Sequence, residues 1–369
     1  MAWIASALAL VAACGELRTA EPDAGAAADG PDAEGTSVGR DGEGGEETGG
    51  PVDGSTDSSK PKPRVAEILA SGFTNPLEIV TAGDVVYFTL ERDAVASVRR
   101  VQKDGGGSAI LAPFDAATGY NPLANDLAVI GSEVVWANAT AGAGRVFAVP
   151  LAGGAVRNVS GLLDTPYHLA AFAGEVYFVD RAFSPAVYGL YRLPLDGAAP
   201  VVVAPGQVRV GGIAVDATGV YWSQGGPLAT GKSGVRKIAP GAATDASVDL
   251  YVGANNGDVG GVALGTSDMV WADTDTGRVM RVGKTGGIAT ALASSLAAPM
   301  RVWLDGSTVY FTEHGLTTAK DGRLSRVPLA GGAVEVLASS QDHPLGVTCD
   351  ATHVYWTNYG SGEVLRIAK

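Results

Sequence analysis

Cysteine is nearly absent from this chain: its 369 residues hold two, Cys14 and Cys349. One ends the leader and the other lies in an expected inner strand, so no disulfide framework is expected in any compartment. Histidine is scarce as well, at four residues. No helix-period pattern of useful length follows residue 64, which argues against a helical domain. No apolar run reaches the roughly 20 residues that cross a bilayer. Bases are outnumbered, with 26 Lys and Arg against 39 Asp and Glu and a formal net charge of −13. Residues 15–60 alone carry twelve acids against Arg18, Arg40 and Lys60. That balance removes the positive footprint nucleic acid requires. There is no Gly-rich phosphate loop, Cys/His metal cluster, nucleophile elbow or basic-aromatic stripe. Asp273-Thr274-Asp275-Thr276-Gly277 hints at a calcium loop, but it lacks the rest of an EF-hand and reads as a polar turn. What is plentiful is glycine, 52 residues, amid 46% hydrophobic content. Val-rich runs broken by Gly and Asp turns suit many short strands.

Residues 1–13 are an apolar run ending in small side chains, the make-up of a signal-peptide hydrophobic region. Val11-Ala12-Ala13-Cys14 resembles a bacterial lipobox. The resemblance implies cleavage before Cys14, its acylation, and membrane attachment through a lipid anchor only. One departure is that no Lys or Arg precedes the apolar run. Gly15 is not the usual inner-membrane retention residue, so the resemblance implies an outer-membrane lipoprotein of a bacterial cell envelope. Residues 15–63 have almost no large apolar side chain. They cannot bury enough surface to offset ordering entropy, and a disordered acidic linker is expected. The expected organisation is a signal peptide over 1–14, the linker over 15–63 and one domain over 64–369.

That domain is repetitive. Aromatic or aliphatic-aromatic pairs recur at Tyr87-Phe88, Val135-Trp136, Tyr177-Phe178, Tyr221-Trp222, Val270-Trp271, Tyr310-Phe311 and Tyr355-Trp356. Their second members are 48, 42, 44, 49, 40 and 45 residues apart, a period that marks propeller blades. The sixth unit shows four strand candidates: 300–304, 308–312, 324–327 and 334–337, joined by Asp-Gly and Gly-Gly hairpin signals. The seventh unit stops after its third strand. Its missing fourth matches residues 65–71, whose Val-Ala-Glu-Ile-Leu-Ala-Ser mimics Ala333 to Ser339. The expected fold is therefore all-β, a seven-bladed β-propeller closed by an N-terminal outer strand. Six blades plus an irregular segment is the competing count. The repeats resemble the YWTD and NHL-like propeller families over essentially all of residues 64–369. Such propellers include receptor-binding modules, lactonases, strictosidine-synthase-like enzymes and the virginiamycin B lyase type, so the resemblance leaves function open.

Residues present in every unit serve the blade: the aromatic pairs pack between sheets. Arg100, Arg192, Lys237, Arg281, Arg326 and Arg366 share one third-strand position, with Ala148 the exception. The acids and amides two residues after each pair are expected to partner these bases. Singletons carry more information. Nine residues before each pair stand Glu78, Asp126, His168, Gly212, Gly261, Arg301 and Gly346, expected at an open, polar channel mouth. There Glu78, Asp126 and His168 are candidate ligands for a divalent cation, calcium or magnesium. Glu313 and His314, with Arg301 heading the same unit, are candidates for proton transfer. The lyase-type resemblance implies glutamates and histidines around a metal at such a mouth. The Trp-Phe-Thr-Glu pattern of that family is not repeated from unit to unit here. Loops between second and third strands vary most in length, which marks a recognition face. Phe183, Tyr188, Leu228 and Tyr359 are its candidate apolar anchors. The expected role is a monomeric binding scaffold for a protein, peptide or glycan. The alternative is a metal-dependent propeller hydrolase or lyase.

Overall fold

The structure, a computed structural model, describes residues 64–369 except 92–95, 114–123, 141, 184–185, 208, 227–231, 255–256 and 318–319. The expected signal peptide, Cys14, the expected linker and Leu228 lie outside the described residues. Strand β1 (Glu67–Ser71) comes first. Blade 1 is β2 (Pro76–Ala82), β3 (Val85–Leu90), β4 (Ala96–Gln102) and β5 (Ser108–Pro113). Blade 2 is β6 (Ala124–Ile130), β7 (Glu133–Asn138), β8 (Arg145–Pro150) and β9 (Arg157–Asn158). Blade 3 is β10 (Pro166–Phe172), β11 (Glu175–Phe183), β12 (Ala186–Pro194) and β13 (Val201–Gln207). Blade 4 is β14 (Val210–Asp216), β15 (Gly219–Gln224), β16 (Gly234–Ile238) and β17 (Val248–Val252). Blade 5 is β18 (Val262–Leu264), β19 (Asp268–Asp273), β20 (Arg278–Gly283) and β21 (Thr290–Ala293). Blade 6 is β22 (Pro299–Asp305), β23 (Thr308–Glu313), β24 (Gly322–Pro328) and β25 (Glu335–Gln341). Blade 7 is β26 (Pro344–Cys349), β27 (His353–Asn358) and β28 (Glu363–Ala368), completed by β1 in the order β26-β27-β28-β1. The chain is thus a seven-bladed all-β propeller in which residues 67–71 close the ring by antiparallel pairing with β28. Closure removes the free edge that a three-stranded last blade would expose.

The aromatic pairs explain how the blades stack. Successive residues of a strand point to opposite faces of the sheet. In each junction the first member of one blade's pair meets the second member of the next blade's pair. Tyr87 packs with Trp136, Val135 with Phe178 and Tyr177 with Trp222. Tyr221 packs with Trp271, Val270 with Phe311, Tyr310 with Trp356, and Tyr355 with Phe88 across the closure. Seven junctions therefore hold seven equivalent core clusters. Each fully buried side chain of this size contributes about 1.5–3 kcal/mol.

The shared basic residue does not partner the acids after the pairs. It stands opposite the first member of the pair, as in Tyr87↔Arg100 and Tyr355↔Arg366. From there four of the six reach into the next blade, while Arg192 and Arg326 bind Glu175 and Glu335 of their own blades. Arg100, Lys237, Arg281 and Arg366 donate to the carbonyls of Leu151, Lys284, Leu329 and Lys103. Each acceptor lies in the turn after the next blade's third strand. Blade 2, with Ala148, makes the same link by another route. Arg157, the cross-strand partner of Ala148, donates to the Leu195 carbonyl at 3.3 Å.

A second contact joins the end of one inner strand to that same turn of the next blade. In three junctions it is an ion pair: Asp216–Lys284, Asp305–Lys369 at 2.5 Å and Lys103–Asp350 at 2.7 Å. Each lysine also lies over the tyrosine of the preceding blade, 5.5–5.9 Å from the rings of Tyr355, Tyr221 and Tyr310. In the other four junctions the corresponding residues are Ala82 with Leu151, Ile130 with Leu195, Phe172 with Pro240, and Gly265 with Leu329. Acid goes with lysine, and neutral goes with neutral.

Candidate functional site

The inner strands β2, β6, β10, β14, β18, β22 and β26 neighbour one another in a closed circle. In six blades the pairing of inner and second strand slips where the head residue sits: Glu78, Asp126, His168, Gly212, Arg301 and Gly346. A bulge re-aims the side chain it carries. Hydroxyls just after the aromatic pairs hold three of these bulges. Thr89, Thr312 and Thr357 accept the N–H groups of Glu78, Arg301 and Gly346. Thr312 and Thr357 also donate to Leu345 and Leu77 of the next blade, as Ser223 does to Gly260. These hydroxyls were not read from the sequence, although a Thr or Ser after the pair in blades 1, 4, 6 and 7 was visible there.

The bulges bring four ionisable groups together. Arg301 of blade 6 pairs with Glu78 of blade 1, passing Gly346 of blade 7. Asp126 accepts the N–H of Leu127 at 2.8 Å and of Leu169, in blade 3, at 3.2 Å. His168 Nδ1 lies 3.7 Å from Asp126 Oδ2. His168 also adopts a left-handed backbone, φ +45, a conformation costing about 1–3 kcal/mol that the surrounding structure must hold. Burial pushes the Glu78 carboxyl up to about 7, against Arg301 and with added repulsion from Asp126. Burial likewise lowers His168, with Asp126 opposing and Arg301 reinforcing. Charges from blades 1, 2, 3 and 6 thus sense one another.

The mouth is tighter than the sequence implied. The glycines do not open it; they let neighbouring inner strands touch. A Cβ on Gly346 would meet the Leu77 carbonyl oxygen at 2.5 Å, and one on Gly261 would meet Arg301 Cδ at 2.8 Å. The expected divalent-cation set does not fit this arrangement. Glu78 is engaged by Arg301, and among the described residues no group of three or more His, Cys, Asp or Glu is arranged to hold a metal ion.

Glu313 and His314 part company. Glu313 is buried, and its carboxylate accepts the Ala297 N–H and the Ser325 hydroxyl, each at 3.0 Å. Asp180 does the same for the Asp164 and Thr165 N–H groups. These acids therefore fasten the loop entering the inner strand of their own blade, which is why they have no need of the bases. Arg301 faces Glu78 at the channel mouth. His314 packs its ring, tilted by 57°, against His343 of blade 7, with centroids 4.6 Å apart, and burial, reinforced by His343, lowers it to about 4. His343 in turn meets Asp342 at 2.8 Å. Asp273 to Gly277 forms a polar turn closed by the Gly277 N–H on the Thr274 carbonyl.

The expected apolar anchors also shift. Tyr359 is half-buried and donates its hydroxyl to Glu91 at 2.7 Å, tying blade 7 to blade 1. Phe183 and Tyr188 lie in the strands β11 and β12, and their side chains lie outside the description. Among the described residues, exposed apolar side chains on the loop face include Leu162, 65% exposed, and Leu316, 59% exposed.

No family model matches the chain, and no curated protein matches it. Solved structures do. Virginiamycin B lyase from Staphylococcus aureus superposes with a TM-score of 0.66 at 12% identity, covering 83% of this chain and 99% of that one. A streptogramin B lyase gives a TM-score of 0.65 at 13% identity, covering 82% and 97%. A computationally designed protein gives 0.55 at 11% identity, covering 82% and 98%. At such identities the likeness establishes the propeller architecture and leaves the chemistry to be argued from this chain's own residues.

Proposed function

We propose that this protein is an exported, lipid-anchored propeller of the bacterial cell envelope that binds a protein, peptide or glycan through the face carrying its variable loops. The observation that supports a binder over a hydrolase or lyase is the fate of the candidate reactive groups. Glu313 is consumed in fastening backbone, and Glu78 is paired with Arg301. An enzyme needs an acid or base within reach of a substrate proton. Leu162 and Leu316, both exposed on the loop face, support recognition there.

Two measurements test the reading. Replacing Leu316 with a photo-crosslinking residue in the full chain is expected to trap a discrete partner in envelope preparations. The same residue at Ile288, 91% exposed at a turn on the opposite face, is expected to trap none. Equal trapping from both positions, or none from Leu316, would sink the proposal. Lipid labelling is expected in the parent and lost in Cys14→Ser; label retained in the variant contradicts the anchor.

A further inference from the structure

The exposed apolar side chains are spread unevenly between the two ends of the ring. Third strands run away from the variable loops and turn back, so each outer strand starts at the opposite end. Among the described residues, exposed aliphatics gather there. Val65, Ile110, Val201, Val248, Ile288 and Val334 each lie within two residues of the start of an outer strand and are 38–91% exposed. They come from every blade but the second. The charged residues beside Val65, Val334 and Val248 are matched within the protein: Glu67 with Arg366, Glu335 with Arg64 and Arg326, and Asp249 with Arg236. Nearer the axis, the same end carries the three Asp–Lys pairs. The chain also enters the domain here. Arg64, paired with Glu335, and Val65 lead into β1, and the apolar run and Cys14 lie upstream of them.

We propose that this end of the ring rests on a lipid surface, its circumference of aliphatic side chains entering the headgroup region while the variable loops face away. The inference rests on the anchored reading above and adds the orientation in which the domain sits. A protein interface has an apolar centre inside a polar rim. Here the order is reversed, with aliphatics at the circumference and paired charges inside. A second copy of the chain meets that arrangement poorly, whereas a flat lipid surface touches the whole circumference at once. Aliphatic side chains hold such an interface through the apolar area they bury. The paired charges add no field, and the net charge of −13 opposes anionic headgroups. The matching lipid is therefore zwitterionic, and its binding is insensitive to salt.

The test is flotation of the full chain with phosphatidylcholine vesicles, in a Cys14→Ser background so that no acyl chain contributes. Binding is expected at low and high salt alike. Combining Val65→Asp, Val248→Asp and Ile288→Asp is expected to weaken it at least about tenfold, with the melting curve unchanged because all three side chains are exposed. Val252→Asp, at the loop end of β17, is expected to leave it unchanged. A photo-crosslinking residue at Ile288 reads the same end without added charge and is expected to label phospholipid. No flotation overturns the proposal, as does no lipid label at Ile288. Undiminished flotation of the triple variant also overturns it, by assigning the binding to residues 1–13. Self-association lost in the triple variant, without vesicle binding, would overturn it in favour of a second copy. Lipid labelling of Cys14 and crosslinking at Leu316 read the anchor and the loop face separately, so failure of either reading is distinguishable from failure of this one.

Discussion

Buried acids in this propeller do two kinds of work, and single substitutions separate them. Glu313 holds backbone and hydroxyl donors, so Glu313→Gln loses a charge-assisted contact and leaves one donor poorly met. The expected cost is about 1–3 kcal/mol in denaturant unfolding; a neutral result would return Glu313 to the pool of candidate reactive groups. Glu78 behaves differently because burial raises it to about 7. A carboxyl raised in the folded state supports folding below its unfolded value, near 4.3, and that support is lost as pH rises through about 7. The melting temperature of the parent is therefore expected to fall relative to Glu78→Gln between pH 5 and 8. Parallel curves would mean that Glu78 is solvated in the folded chain.

At the scale of strands and junctions, the contacts are of two kinds, three charged and four neutral. Junctions between blades 4 and 5, 6 and 7, and 7 and 1 carry an Asp–Lys pair under a tyrosine, whereas the other four carry neutral residues. Such matching disfavours wrong neighbours, since a lysine set against Ile130 or Phe172 would lose its partner. A double-mutant cycle on Lys103→Met and Asp350→Asn is expected to show a coupling of about 0.5–1.5 kcal/mol; additivity would reduce the pair to a surface contact. Burial opposes ionisation of Asp350, but Lys103 and the N–H groups of Thr352 and His353 hold its carboxyl well below the usual range. The aromatic pairs were legible in the sequence because every junction needs one side chain from each side, and the repeat prints them at one spacing. The Asp–Lys pattern was not, because its partners lie in different repeats and, for Asp350 and Lys103, at opposite ends of the domain. The acids after the pairs were assigned the wrong partner for a related reason. Their acceptor role depends on where an irregular loop brings its N–H groups, which spacing does not encode. The glycines at Gly212, Gly261 and Gly346 were correctly singled out but misread as open space, since close strand approach is a property of neighbouring blades.

For the whole molecule, closure and convergence belong together. Strand β1 completes blade 7, and Glu67 pairs with Arg366 across that seam at 2.6 Å. Removing residues 64–71 is expected to lower the melting temperature by several degrees and to promote association through the bared edge of β28. An unchanged melting curve and a clean monomer would show that β1 is dispensable. Only a closed ring can bring Glu78, Asp126, His168 and Arg301 from four blades to one mouth. The most direct test is the NMR titration of the His168 ring in the full chain. The account predicts protonation below the ordinary value near 6.5, moved upward by Arg301→Gln and further downward by Asp126→Asn. A His168 that titrates at its ordinary value and ignores both substitutions would contradict the convergence of the four blades on a common site.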